Sequence, residues 1–462
     1  MFKGTVSPES NLQAEARTQQ HRLRVVVALA WALTTTLAIL YVHTFVADIP
    51  YADEWEFVPV LVGSQPWLPA LWAQHNEHRM PLPRAIYYSA FSVTFSFRAN
   101  SYLQIILLAG LSLWLIRTAT HWRGSVAWTD LFFPLALLHP GHWENWVMGY
   151  QVCFVLYAWG SIALAVTLLT LGPQLTTGRL ALIGILTLSI AACGAFGLPL
   201  ACTIGGWLAF EAIRLWRRKQ RRLAFWAFIP VLLLIAYVWA YFRDYQRPAG
   251  HPPLCTEPVR LTATAGQVLA MGWGPAVTPL WPWAALTAMT LTGLALRRLL
   301  TSTVPSGVRT GVFAWLVGQL ALTLVIGLGR AGFGDTMGLW PRYALLSWPL
   351  LGLAYLVAVR HHLRVVCQLL CLGMALTFPE NLMQGLNHGA AILAYHQDLA
   401  RDAHAGWSAQ ELVERHFPNS FNAGQMDRGR VAIPLLREAG IGIFRQNNVP
   451  IGETPSQGRD DG

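Results

Sequence analysis

The chain has 462 residues, of which 54% are apolar and only 12% charged, and its mean hydropathy is +0.40. Soluble domains run about a quarter charged, so a water-soluble enzyme, a disordered chain, a collagen and a disulfide scaffold are excluded together. Twenty-one Trp beside two Lys suit a polytopic membrane protein with aromatic belts, and the placement of the arginines accounts for the net charge of +10 better than nucleic acid does. The six cysteines (Cys153, Cys193, Cys202, Cys255, Cys367, Cys371) lie mostly in apolar runs, with neither metal-motif spacing nor a disulfide framework.

Roughly 17–25 apolar residues span a bilayer. In chain order the sequence predicts spans near 25–46, 100–116, 125–139, 151–171, 180–196, 199–213, 223–242, 280–296, 310–327, 343–359 and 364–379. These about eleven transmembrane helices make an all-α polytopic membrane protein. A cytoplasmic tail, 1–24, carries Arg17, Arg22 and Arg24; the apolar core after it is too long for a signal peptide, so the first helix is retained. Residues 85–97 are apolar but short and closed by Arg98, which predicts an interfacial helix. The stretch 180–213 reads as a hairpin of two short spans, broken at Gly194–Pro199.

With the N-terminus inside, cytoplasmic segments collect about eighteen of the 33 Lys and Arg, including the run from Arg214 to Arg222, against about eight in the outer loops. This places the N-terminus in the cytoplasm and the C-terminus outside, in a bacterial inner (plasma) membrane. Residues 25–379 form the transmembrane domain, and 380–462 a small soluble extracytoplasmic region. In that region Ser408–Glu411 reads as a capping box. Asp427 caps a further helix ending at Gly440, and the last dozen residues are disordered.

The outer loops hold the clustered carboxylates, histidines and carboxamides. The first, 47–99, opens on Asp48-Ile-Pro-Tyr-Ala-Asp53-Glu54-Trp55-Glu56, followed by amphipathic pieces at 57–62 and 67–73 with Trp67 and Trp72. Such juxtamembrane helices hold Asp53 and Glu54 at the membrane surface, where a carboxylate serves as general base for an acceptor hydroxyl. His75, Asn76, Glu77, His78 and Arg79 offer either hydrogen bonds to substrate or ligands for a divalent metal such as Zn or Mn. In the second outer loop His142, Glu144, Asn145 and Gln151 suit sugar hydroxyls, or else neighbour an aromatic belt. Later, Arg330, Arg342 and Tyr343 frame a glycine-rich mouth where two guanidinium groups grip a phosphate, or pair with Asp335 and nearby carboxylates. The loop 243–280 forms a lid. No nucleophile elbow, P-loop, dinucleotide fingerprint or His-Glu-x-x-His is present.

A single N-terminal span, an outer loop opening on Asp53-Glu54, two juxtamembrane helices, many further spans and a small outer C-terminal part together resemble the GT-C glycosyltransferases. The residue-level match rests on Asp53-Glu54 and, more loosely, on Arg330, Arg342 and Tyr343. The resemblance implies inverting transfer of a sugar from a polyprenyl-phosphate-linked donor to an envelope glycan, lipid or protein acceptor, among membrane lipids and without nucleic acid. Asp53 or Glu54 would deprotonate the acceptor, and Arg330 or Arg342 would neutralise the departing phosphate; no cofactor is certain. An O-antigen polymerase or ligase would use a larger central outer loop than 243–280. A lipid-linked glycan transporter would carry charges near the membrane midplane.

Overall fold

A chain this apolar must pair its backbone polar groups internally. The computed structural model describes residues 8–248, 250–417 and 423–445, and it does so with helices. Among those residues there is no strand, only an isolated antiparallel bridge between His75 and His78. The helices are α1 (Pro8–Phe45), α2 (Val58–Leu61), α3 (Trp67–Trp72), α4 (Pro81–Thr94), α5 (Arg98–Arg123), α6 (Phe132–Leu137), α7 (Trp143–Val147), α8 (Val152–Leu169) and α9 (Thr177–Ala191). They continue as α10 (Leu198–Arg217), α11 (Arg221–Phe242), α12 (Pro258–Ala270), α13 (Trp281–Thr301), α14 (Ser306–Arg330), α15 (Ala344–Arg360), α16 (Arg364–His404), α17 (Ala409–His416) and α18 (Ala423–Ala439).

Eight of these are long and apolar enough to cross a membrane: α1, α5, α8, α10, α11, α14, α15 and α16. The sequence reading expected about eleven, and the other three segments differ for physical reasons. The run 125–139 is not one helix but a 3-10 turn, Trp128–Leu131, and the six-residue α6. Asp130 begins it as a capping group, accepting the Ala127 N–H at 2.9 Å and the Tyr355 O–H at 2.8 Å and pairing with Arg123. Phe132, Phe133 and Leu137 are wholly enclosed, so this segment meets protein rather than lipid and need not run as a continuous helix. Helix α9 has 15 residues, and α13 has 21 without being among the eight. The hairpin forms as expected: α9 and α10 are joined at Gly194, whose φ of +141° lies in the region that favours glycine.

Helix α15 is the hub. Its span is 94% buried, with α5, α8, α13, α14 and α16 packed around it, whereas α1 and α11 are each 28% buried and face outward. An all-round apolar sequence suits the centre of such a bundle. One end carries Arg179, Arg214 and Arg360, where Arg179 donates to Thr170 at 3.0 Å, Arg214 to Ser306 at 3.1 Å and Arg360 to the Leu169 carbonyl. The acidic first loop and its partners gather at the other.

The composition change at 380 is not a structural boundary, because α16 runs unbroken through it for 41 residues. Its far half leaves the bundle and carries α17 and α18 back over the first loop. Ile49, Trp55, Val58, Phe91 and Phe97 of that loop share one apolar core with Leu399, Leu412, Val413, Phe417 and Ile433. The Ser408 capping box forms, with the Glu411 N–H on Ser408 Oγ at 3.2 Å and the Ser408 N–H on Glu411 Oε2 at 2.7 Å. Asp427 is not a cap; it lies inside α18 and pairs with Arg430 at 2.7 Å, one turn on. The helix stops before Gly440, at φ +61°. The expected disorder of the last dozen residues falls outside the described residues.

Because Asp130 is fully enclosed and answers a cation, a hydroxyl and a backbone N–H, removing it strands all three. Asp130→Ala is expected to destabilise the solubilised protein by about 3–5 kcal/mol, read as a lowered melting temperature. An unchanged melt would show that this acid does not hold the first turn of the 128–137 segment.

Candidate functional site

The acidic loop begins as a 3-10 turn, Ala52–Glu56, capped by Tyr51. Three residues per turn send neighbouring side chains in different directions, so Asp53 and Glu54 part company. Glu54 turns inward and is 1% exposed. Its Oε2 accepts the Tyr51 N–H at 2.9 Å and its Oε1 the Tyr87 O–H at 3.0 Å, while the Gly149 and Tyr150 N–H groups also point to it. Gly149 is required there, since a Cβ would sit 3.1 Å from Glu54 Oε1 and closer still to Asn100. Burial pushes the Glu54 carboxyl up to about 8, against the pull of those four donors.

Asp53 faces the rim, its side chain 18% exposed, with Oδ2 3.5 Å from His75 Nε2 and Oδ1 3.9 Å from Arg428. His75 is enclosed, and its Nδ1 lies 2.7 Å from Glu56 Oε2. Burial alone would pull this imidazole down, but Glu56 and Asp53 outweigh it and leave His75 at about 9. At neutral pH it is therefore an imidazolium held between two carboxylates. Glu56 also meets Arg428 at 2.8 Å and Arg84 at 3.8 Å. Burial raises its carboxyl, yet His75, Arg428 and Arg84 prevail and keep it below the usual range.

Two further ion pairs flank this centre. The bridge at His75–His78 is closed by paired backbone bonds of 2.8 Å, with Asn76 at its tip at φ +49°. Asn76 stays local, its Nδ2 3.2 Å from His75 Nε2. Beyond the tip Glu77 pairs with Arg330 and approaches His78 at 3.4 Å and His251 at 3.7 Å. Burial and the neighbouring cations push His78 down to about 3, so it is neutral, and its Nδ1 accepts the Ala195 N–H at 3.2 Å. In the second pair Glu144 is 3% exposed and meets Arg342 twice, by the side chain at 3.2 Å and by the backbone N–H at 3.1 Å. Arg342 also stacks 4.5 Å over Trp340, and Tyr343 beside it is buried. Burial raises the Glu144 carboxyl, Arg342 opposes, and the charge of Asp53 adds to the rise. The field of Asp53 thus reaches the Glu144–Arg342 pair.

Several expected ligands are engaged elsewhere. Arg79 donates to the carbonyls of Trp72 at 2.9 Å, Tyr241 at 3.0 Å and Arg243 at 3.1 Å, clamping the first loop to the end of α11 rather than facing a substrate. His142 stacks on His139 at 4.2 Å, meets the Ala136 carbonyl at 3.0 Å and is held neutral by burial, down to about 4. Asn145 and Gln151 are enclosed behind Glu144. The placements of His142, Asn145 and Gln151 share one cause: the second loop folds into the bundle as α7 and short 3-10 turns instead of standing above it. As metal ligands, His75, Glu77 and His78 do not converge, because the bridge divides them between the Asp53–Glu56 cluster and the Arg330 pair. Among the described residues no group of three His, Cys, Asp or Glu is arranged to hold a metal ion. Asp335 pairs with Arg260 at 3.3 Å, not with Arg330 or Arg342. The expected lid is only partly one: Gln246 and His251 reach the first loop, while α12 packs against α14.

The sequence reading passed over Arg84, Tyr87 and Arg428, and gave no separate role to Glu56 in the acidic run, Tyr150 beside the second loop or His251 in the lid. Glu56 was visible as a third acid in the same turn. Arg428 carries no local signal at all, since only folding brings α18 to Asp53.

Both Glu54 and His75 have raised values, so each contributes stability at low pH that is lost as pH rises. For Glu54 the contribution is complete below 4.5 and lost through about 8; for His75 it is complete below 6.5 and lost through about 9. The melting temperature is therefore expected to fall as pH is raised from 6.5 past 9, and His75→Gln to flatten the upper part of that fall. A melting temperature that climbs across this window would contradict the assignment of a buried imidazolium. No family model, curated protein or solved structure matches the chain.

Proposed function

We propose that the chain is a GT-C-type membrane glycosyltransferase that moves a sugar from a polyprenyl-phosphate-linked donor to a glycan, lipid or protein acceptor. The work is done on the extracytoplasmic face of a bacterial inner membrane, with the N-terminus in the cytoplasm and the C-terminus outside. In this reading the 128–137 segment, α9 and α13 also pass between the arginine-rich and acidic ends, making eleven transits with the eight apolar helices. The orientation rests on the arginine bias, which puts the acidic end outside.

The observation that carries the reading is the rim position of Asp53, beside an imidazolium and within the field of the Glu144–Arg342 pair. Of the two acids expected to serve as base, Glu54 is sealed and has a donor on each oxygen. Asp53 is the group an acceptor hydroxyl can approach. In the proposed step the hydroxyl oxygen attacks the anomeric carbon, its proton passes to Asp53, and the sugar–phosphate bond breaks with its electrons leaving on the lipid phosphate. Arg342, with guanidinium N–H groups beyond those facing Glu144, stabilises that growing charge, and Arg330 does the same from the other pair. The surrounding Glu77 and Glu144 fix both guanidinium planes. Whether a metal assists is no part of the proposal.

Asp53→Asn is expected to insert and fold with a lowered melting temperature, since Glu56 alone then answers His75, while cutting sugar transfer by ~10²–10⁴-fold, measured with membranes, a polyprenyl-phosphate sugar and mass spectrometry of the product. Glu54→Gln keeps an acceptor and a similar shape, so it is expected to lower the melting temperature more than it lowers transfer. Wild-type transfer by Asp53→Asn would remove the assigned base and with it the reading.

A further inference from the structure

A groove of about 960 Å³ lies between α4 and the first turns of α5, away from the acid cluster. Ile86, Ala90 and Val93 form one wall, Leu103 and Ile106 the other, and Arg98 stands at the apex where the two helices meet. Val93 is 82% and Ile106 64% exposed, so the groove presents bare hydrocarbon. Because α5 rises about 1.5 Å per residue, Ile106 lies ~12 Å deeper along the span than Arg98. The apex is thus at headgroup level and the walls run down beside acyl chains.

The charge at the apex is answered by no acid, as is that of Arg79, but Arg79 is enclosed among three carbonyls whereas Arg98 is half-buried beside the bare hydrocarbon of the groove. Glu77 and Glu144 answer Arg330 and Arg342, but the Arg98 guanidinium meets only backbone carbonyls at the end of α1, His43 at 2.5 Å and Val42 at 3.4 Å. Its Nε is buried without a partner. Among the described residues no carboxylate lies within ion-pair distance of it. A cation above an apolar slot at the membrane surface is complementary to an anionic lipid.

The occupant follows from which face of α4 is involved. Tyr87, Tyr88 and Phe91 point the other way, into the protein, and Tyr87 holds Glu54. A headgroup resting on Arg98 is therefore separated by α4 from Asp53, so a sugar carried there is on the wrong side for transfer. We propose that the groove binds an anionic glycerophospholipid, one acyl chain between α4 and α5 and the phosphate on Arg98. Helix α4 is then a shared wall, with lipid on one face and the Tyr87–Glu54 contact on the other, and an occupied groove steadies the acidic turn. The anionic-lipid site stands on the groove and Arg98 alone, and only the choice of a glycerophospholipid over a polyprenyl donor rests on the transferase reading.

The full chain in detergent, with phosphatidylglycerol or phosphatidylcholine added, tests it by native mass spectrometry and thermal melting. The wild type is expected to retain phosphatidylglycerol in preference to phosphatidylcholine and to melt higher with it. Arg98→Gln should weaken phosphatidylglycerol about tenfold, the loss of one charge-assisted contact, and erase the preference; Arg98→Lys should keep most of it. Since Arg98 also caps α1, Ala90→Trp is the independent variant: it fills the slot from the other wall and should remove binding of both lipids. An undiminished preference in Arg98→Gln, binding unaffected by Ala90→Trp, or no anionic lipid retained by the wild type would each overturn the proposal. So would displacement of phosphatidylglycerol by a polyprenyl phosphate bound more tightly at the same slot.

Discussion

The acidic end is organised by a single imidazolium. His75 is closed off from solvent between Glu56 and Asp53, and a charge buried this way survives only if its partners match it. Everything near it can be understood as supplying that match. Arg84 and Arg428 balance the surplus of acid at Glu56, the His75–His78 bridge fixes where the ring sits, and Arg79 clamps the loop behind it to α11. Glu54 belongs to the same economy in a different way: it keeps the 3-10 turn in register by taking donors from the turn, from α4 and from the start of α8.

Placing so many ionised groups together requires a rigid floor and a cover. The floor is the bundle around α15, whose fully enclosed side chains leave its neighbours little freedom to shift. The cover comes from α16, which is long enough to carry α17 and α18 out of the bundle and back over the first loop, where they complete an apolar core. The C-terminal region is therefore a working part of the acidic end, and Arg428 is its chemical contribution.

Desolvation also separates roles among groups of like chemistry. Asp53 and Glu54 are neighbours in the chain, yet one stands at the rim and the other is sealed. His75 is charged while His78, three residues on, is neutral, because two carboxylates outweigh burial at one ring, whereas burial, helped by neighbouring cations, prevails at the other. The arginines divide likewise: Arg330 and Arg342 are each matched by one acid, whereas Arg79 and Arg98 are left to backbone carbonyls, the first enclosed and the second half-buried at the groove.

The polytopic character, the long apolar first helix, the α9–α10 turn at Gly194, the Ser408 capping box and the stop at Gly440 were all legible in the sequence. Each is settled by hydropathy, steric freedom or hydrogen bonds between residues a few positions apart. The same local logic overran at 125–139, where an apolar run is not a long helix, because enclosure by other helices removes the need to shield a continuous backbone from lipid. It also overran at Asp427, which has a capping residue's chemistry but sits within its helix. Which acid is sealed, which histidine carries a proton, where Arg79 spends its donors and how α18 brings Arg428 to Asp53 were decided only by tertiary structure. Burial and the field of distant charges set those outcomes, and neither is a property of neighbouring letters in a chain.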